Sequence, residues 1–144
     1  MMSKNMRLAE AIIISRYCDI ILGVLQKHNN LSVNKILVFS FLIKKNIFID
    51  KEVYNTRNSK DIILKCISKL SGAFQDYCNE IEYIFKAIHL LIKNGDLLIE
   101  SEILIYNSKN NKSVFIDSRF IDKCINESKK ITDRQFLKEV MNNV

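Results

Sequence analysis

Along the first thirty residues Ile13, Tyr17, Ile20, Ile21, Val24 and His28 recur at spacings of three and four. That is one face of a 3.6-residue repeat, and it predicts an amphipathic helix from about Arg7 to Lys27. Ser32 is a good N-cap for a second helix, whose stretch Ile36–Ile43 is apolar on nearly all sides before it ends in Lys44-Lys45. Such a helix is usually central and buried. Ile47-Phe48-Ile49, bounded by Asn46 and Asp50, predicts a short strand. A third helix starts at Asn58 or Ser59, turns Ile62, Ile63, Cys66, Ile67 and Leu70 inward, and breaks near Ser71-Gly72. The longest stripe follows, from Phe74 through Tyr77, Ile81, Ile84, Phe85, Ile88 and Leu91 to Ile92, with a re-cap at Asn79. Asn94-Gly95 stops it, because glycine accepts the left-handed conformation at a helix C-terminus.

Leu97–Ile99 and Ile103–Tyr106 then read as a β-hairpin turning at Glu100-Ser101. Beyond the polar loop Asn107–Ser113, the residues Phe120, Ile121, Cys124 and Ile125 mark another helix. Thr132-Asp133-Arg134-Gln135 is a capping box for a last helix holding Phe136, Leu137, Val140 and Met141. The expected class is mainly α (α+β), with a winged-helix-like core and one β-hairpin, flanked by extra N- and C-terminal helices. The order across Ser32–Tyr106 (helix, strand, helix, helix, hairpin) is that of a winged helix. A chain of 144 residues is one domain by length. Within it lie an N-terminal helix (1–31), the core (32–106) and a C-terminal helical pair (113–144).

Composition changes this picture little. At 48% apolar and 26% charged residues the chain has ordinary globular proportions. Cys18, Cys66, Cys78 and Cys124 are far apart and each sits among Ile and Leu, as buried free thiols do in a reducing cytosol. No export signal and no apolar stretch of membrane-spanning length is present, so a cytoplasmic protein with no membrane partner is expected. Zinc needs paired ligands, and only His28 and His89 are available. Neither histidine has a spaced nucleophile or acid partner in the sequence. Gly23, Gly72 and Gly95 are isolated, so there is no phosphate-binding loop. Glu80 and Glu82 point to different sides of a helix. No catalytic, cofactor or metal site is expected.

The net charge is +6 but uneven: residues 1–72 carry +7 and residues 73–144 carry −1. In a winged helix the third helix reads the major groove with its leading residues. Here those would be Asn79-Glu80-Ile81-Glu82, with Glu100 and Glu102 on the wing, and acidic groups repel phosphate. That face suits a basic protein surface better than DNA. The basic side chains Lys44, Lys45, Arg57, Lys60, Lys65 and Lys69 lie on the second and third helices and the loop between them. They are candidates for a sequence-independent contact to the DNA backbone, beside the plainer account of a solvated face. Glu80, Glu82, Glu100 and Glu102, with Phe120, Phe136 and Leu137 of the terminal helices, are the candidate protein interface. The aromatics Phe39, Phe41, Phe74, Tyr77 and Phe85 fall on helical stripes and are expected in the core.

The layout resembles a known family. The points of likeness are the apolar first helix ending near Gln26-Lys27-His28, the hydrophobic Ile36–Ile43 helix, and the polar loop with Thr56-Arg57-Asn58-Ser59. Phe85-Lys86-Ala87-Ile88-His89-Leu90-Leu91 then runs into Gly95 and the Leu97–Tyr106 hairpin, before Phe120–Lys130 and Ile131-Thr132-Asp133. In these it is similar to the middle components of bacterial three-component ABC-type systems, which include the small accessory subunit of Lamassu-like anti-phage defence. The prolines common around the second helix in such proteins are absent here. The resemblance implies a non-enzymatic subunit of an antiviral defence complex, joining an SMC-like (structural-maintenance-type) ATPase to a nuclease effector. The alternative is a stand-alone winged-helix DNA-binding transcription regulator using the basic helix pair.

Overall fold

A computed structural model describes residues 3–45, 59–109 and 119–143 of the protein. Helix α1 (Lys4–His28) begins one turn earlier than its apolar stripe, because the Ser3 side chain accepts a hydrogen bond from the Met6 N–H at 3.2 Å. It ends at Asn29, which adopts a positive φ of 72° and donates its N–H to the Leu25 carbonyl at 2.8 Å. Asn is among the few side chains that tolerate this conformation.

The next three residues form strand β1 (Asn30–Ser32), which the sequence pattern does not announce. Helix α2 (Val33–Lys45) follows at once, and the Ser32 hydroxyl caps it by accepting the Lys35 N–H at 3.3 Å. Every residue from Lys35 to Leu42 is buried, as its apolar run requires of a central helix. The expected strand Ile47–Ile49 lies outside the described residues. Helix α3 (Ser59–Ser71) buries Ile62, Ile63, Cys66, Ile67 and Leu70, the predicted inward face.

Helix α4 (Phe74–Lys93) is continuous, so the expected re-cap at Asn79 does not occur. Asn79 is exposed, and its side chain accepts from Gln75 one turn back at 3.3 Å instead of competing with the backbone. The helix stops in a Schellman motif: Gly95, at φ 83°, donates to the Ile92 carbonyl at 3.0 Å, and Asp96 donates to that of Leu91 at 2.9 Å. Strands β2 (Leu97–Glu100) and β3 (Ile103–Tyr106) form the predicted hairpin. Its turn falls at Ser101-Glu102, one residue later than expected, with both residues at positive φ. β3 lies in the middle of an antiparallel three-stranded sheet of order β1-β3-β2, pairing Leu31 with Leu104 and Ile99 with Leu104. Helices α5 (Arg119–Ser128) and α6 (Asp133–Asn143) close the chain. The capping box at Thr132 is formed in both directions, Gln135 N–H to Thr132 Oγ1 at 3.1 Å and Thr132 N–H to Gln135 Oε1 at 3.0 Å.

The fold is therefore mainly helical α+β with one small antiparallel sheet. Its third strand comes from ahead of α2, and among the described residues the helices α2, α3 and α4 separate that strand from the hairpin. Among the described residues, one apolar cluster draws buried side chains from each of the six helices and three strands. α2 runs through its middle, with Phe39 against Phe136 (centroids 5.7 Å apart) and Phe41 edge-on to Tyr77 (5.4 Å). Among the described residues no helix is long and apolar enough to cross a membrane.

Candidate functional site

The charged residues singled out by sequence are not arranged as expected. Glu80 sits on the inner side of α4 and is buried, as a carboxylate can be only when its charge and lone pairs are met. The Tyr17 hydroxyl on α1 donates to Glu80 Oε2 at 2.8 Å. The Lys44 ammonium at the end of α2 donates to Oε1, and Lys45 Nζ is 3.9 Å from Oε2. Lys44 also lies over the Tyr17 ring, 5.4 Å from its centroid. Burial, and then the hydrogen bond to Glu80, push the Tyr17 hydroxyl far above the ordinary tyrosine range. Glu80 is thus an internal tie between α1, α2 and α4, and its place on the expected protein interface is corrected. Lys44 is equally corrected as a phosphate contact, because its charge is answered from within.

Lys65 and Lys69 are half-buried on α3, and each is already engaged. Arg57 and the Lys60 side chain lie outside the described residues. Of the remaining expected interface, Glu82 is exposed and pairs with Lys86 at 3.1 Å, which also reaches Glu10 on α1. Glu100 and Glu102 are exposed on the hairpin, and Leu137 is exposed on α6. Phe120 and Phe136 are buried and belong to the core instead.

His28 does have an acid partner, contrary to the sequence expectation. Its Nε2 lies 3.1 Å from Oδ1 of Asp122, ninety-four residues away on α5, and Lys27 holds the other oxygen of the same carboxylate. Lys129 donates to the His28 carbonyl, so the group clamps the end of α1 to α5. Nearby, Lys35 is buried and donates to the carbonyls of Ser128 (2.8 Å) and Ile131 (2.9 Å), capping the end of α5. Desolvation lowers its pKa, opposed by the neighbouring Asp133. A polar cleft of about 560 Å³ opens beside it, yet the Asp133 carboxylate there is taken up by Ser32 and by Asn34 at 2.9 Å. These polar groups fasten helices and strands together; among the described residues no group of three or more His, Cys, Asp or Glu could hold a metal ion.

A further part of the surface, beside the core on α4, is apolar. On α4 the residues Phe74, Cys78, Ile81 and Phe85 follow at steps of four, three and four, the spacing of a helix-packing seam. They lie off the face that buries Tyr77, Ile84, Ile88 and Leu91. Phe85 is 48% exposed, and Phe74 is exposed as well, correcting their expected place in the core. With Ile14 of α1 and Leu90, the residues Cys78, Ile81 and Phe85 line an open groove of about 760 Å³, rimmed by Glu82, Lys86 and His89. No residue of α1 ahead of Tyr17 is fully buried, and Leu8 and Ile12 are more than 60% exposed. Cys78 is therefore an exposed thiol, whereas Cys66 and Cys124 are buried as expected. Cys18 is half-buried and its thiol is pushed up to about 11, first by burial and then by Asp19. Sequence reading missed the groove because a second apolar stripe on α4 reads as more core. In comparisons with known proteins, no family model, curated protein or solved structure matches the chain.

Proposed function

We propose that the protein is a non-catalytic docking subunit that receives an amphipathic helix of a partner protein on its α1–α4 face. The observation that carries this reading is the groove of Ile14, Cys78, Ile81, Phe85 and Leu90, an apolar seam at helical spacing with nothing of the described chain over it. An amphipathic helix laid into an apolar groove is a recurrent mode of recognition, anchored by a few apolar side chains and bordered by charges. Here the borders are Glu82 and His89, with Lys86 shared between Glu10 and Glu82.

The resemblance read from the sequence supplies the kind of partner: an SMC-like ATPase, with the protein linking it to a nuclease effector in an antiviral complex. ATP hydrolysis and DNA cleavage then belong to the partners. A DNA-binding regulator is the weaker reading, since Lys44 and Lys45 turn onto Glu80. Cys78 provides the test, as an exposed thiol inside the groove. The protein is co-expressed and co-purified with a candidate SMC-like ATPase, and Cys78 is labelled with a maleimide. The expected result is protection of Cys78 in the complex and loss of the complex in Phe85→Glu, with the fold intact by circular dichroism. Equal labelling with and without the ATPase, together with an unaffected Phe85→Glu complex, rules the reading out.

A further inference from the structure

Residues 73–144 carry a net charge of −1, yet α5 and α6 turn a basic face outward. From Lys123 to Lys138 all five lysines and arginines are exposed: Lys123, Lys129, Lys130, Arg134 and Lys138. The four carboxylates of the same helices are half-buried and engaged. Asp122 is held by Lys27 and His28, Glu127 by Lys130, and Asp133 by Ser32 and Asn34, while Glu139 has a contact of its own. Lys129 bonds the His28 carbonyl, a neutral acceptor that leaves its charge in place. Among the described residues no carboxylate pairs with Lys123, Arg134 or Lys138. Both helices pack on α2 and α3, α5 through Ile121 and Cys124, α6 through Phe136 and Val140. Lys123, Asn126 and Lys130 follow at steps of three and four along the outer side of α5 and its end. Arg134 and Lys138 are one turn apart on the side of α6 opposite Phe136. Lys130 and Arg134 flank the short connection between the helices, at most about 14 Å apart. Arg134 sits in the first turn of α6, where the helix dipole disfavours a cation, so helix stability does not account for it.

We propose that this outer face of α5 and α6 binds the phosphate backbone of duplex nucleic acid without regard to sequence. Affinity for a duplex comes from Lys and Arg that displace its condensed counterions, and exposed cations with no internal carboxylate are what that requires. The exposed amides Asn126 and Asn142 add donors of the kind that reach phosphate oxygens. Helices lying flat on the core present their side chains to phosphates and enter no groove, so base edges are not read. An acidic protein is the weaker occupant. Protein interfaces draw their energy from a buried apolar or aromatic centre, whereas here Arg134 and Lys138 hold the centre and Leu137 and Met141 lie to one side. The site differs from the basic helix pair expected from sequence, where Lys44 turns onto Glu80 and Lys65 and Lys69 are engaged. It shares no residue with the α1–α4 groove, so it stands or falls separately from that reading.

The test titrates the full chain into fluorescein-labelled DNA duplexes of several unrelated sequences, read by anisotropy across roughly 50–300 mM salt. The expected result is equal affinity for every sequence and a log–log salt slope of about −3, from contacts by Lys123, Arg134 and Lys138 at about 0.9 each. Replacing Arg134 and Lys138 together by Ala should reduce the magnitude of that slope by about 2. At about 0.1 M salt it should weaken binding about eightfold per contact. The melting temperature should hold, because both side chains are exposed. Lys4→Ala with Arg7→Ala removes the same net charge from exposed positions on α1 and should leave the slope unchanged. An equal loss in that control makes the effect one of net charge alone and overturns the proposal. Absence of binding at about 50 mM salt overturns it too, as does a preferred sequence. Poly-glutamate displacing the labelled duplex as readily as unlabelled duplex does would make the partner an acidic protein, and the proposal would fall.

Discussion

Replacing Glu80 by Ala removes the acceptor on which Tyr17 and Lys44 converge, and the structure sets the size of the effect. A hydrogen bond to a charged acceptor contributes about 1.5–3 kcal/mol. The Tyr17 hydroxyl, buried at the α1–α4 contact, finds no water to replace that acceptor. The Lys44 charge adds less than the roughly 3–5 kcal/mol of a fully buried pair, because its long stem lets the head swing toward solvent. The expected loss is about 3 kcal/mol, read from the midpoint shift in urea denaturation. At roughly 2–4 °C per kcal/mol for a chain near this size, the melting temperature should fall by about 6–12 °C. Glu80→Gln keeps an acceptor for Tyr17 and should cost about half as much. Tyr17→Phe and Glu80→Ala should be non-additive, since they delete the same bond. A change under about 1 kcal/mol, with partner binding lost at unchanged stability, would return Glu80 to the interface and refute the internal tie.

Three further outcomes follow from named residues. Tyr17 and Tyr77 both hold their protons above the ordinary value near 10, Tyr77 pushed up to about 12 by burial first. A raised folded pKa stabilises below the unfolded value and is lost above it, so stability should fall as pH rises past about 10. Tyrosinate absorbance from Tyr17 and Tyr77 should then appear only together with circular-dichroism unfolding, and ionisation of both near pH 10 in a still-folded chain would contradict this. Glu102→Gly should stabilise the protein by about 1 kcal/mol in urea, since the side chain strains a φ of 65° while its carbonyl still accepts the Val33 N–H. A destabilised variant would count against that strain. Phe136→Ala should cost roughly 3–5 kcal/mol and Leu137→Ala under about 1, because the first packs on Phe39 and the second is exposed; equal losses would refute the division into core and surface.

What the sequence discloses and what it hides divide along physical lines. Where one pattern decides the outcome locally, the reading is right. The apolar run Ile36–Ile43 can only be a buried helix, Gly95 ends α4 in a left-handed turn, and Thr132 with Gln135 closes a capping box. β1 escapes because three residues with one apolar side chain show no alternation, and its pairing comes from β3 some seventy residues on. The hairpin turn is misplaced by one residue because Ser101 and Glu102 lack the Asn-Gly signature of a turn that needs positive φ twice. Asn79 looks like a cap and is a helix-surface residue, since an exposed amide can bond along the helix rather than compete with it.

The candidate sites fail or hold for a different reason. Periodicity separates Glu80 from Glu82 correctly, yet it cannot say which side faces inward. That depends on Tyr17 and Lys44, sixty-three and thirty-six residues away. The same limit governs the aromatic residues. Phe136 and Phe120 sit on short helices with apolar sets large for their length, which suggests an interface, but α2 and α3 stand ready to cover them. Phe74 and Phe85 sit on a long helix whose stripe reads as core throughout, but α4 has more apolar faces than α1 and α2 can cover. A stripe is core or surface according to how many neighbours the topology supplies, and that number is not written in the stripe. Hence the proposal of a docking face rests on the excess of apolar residues on α4 over the partners available to it.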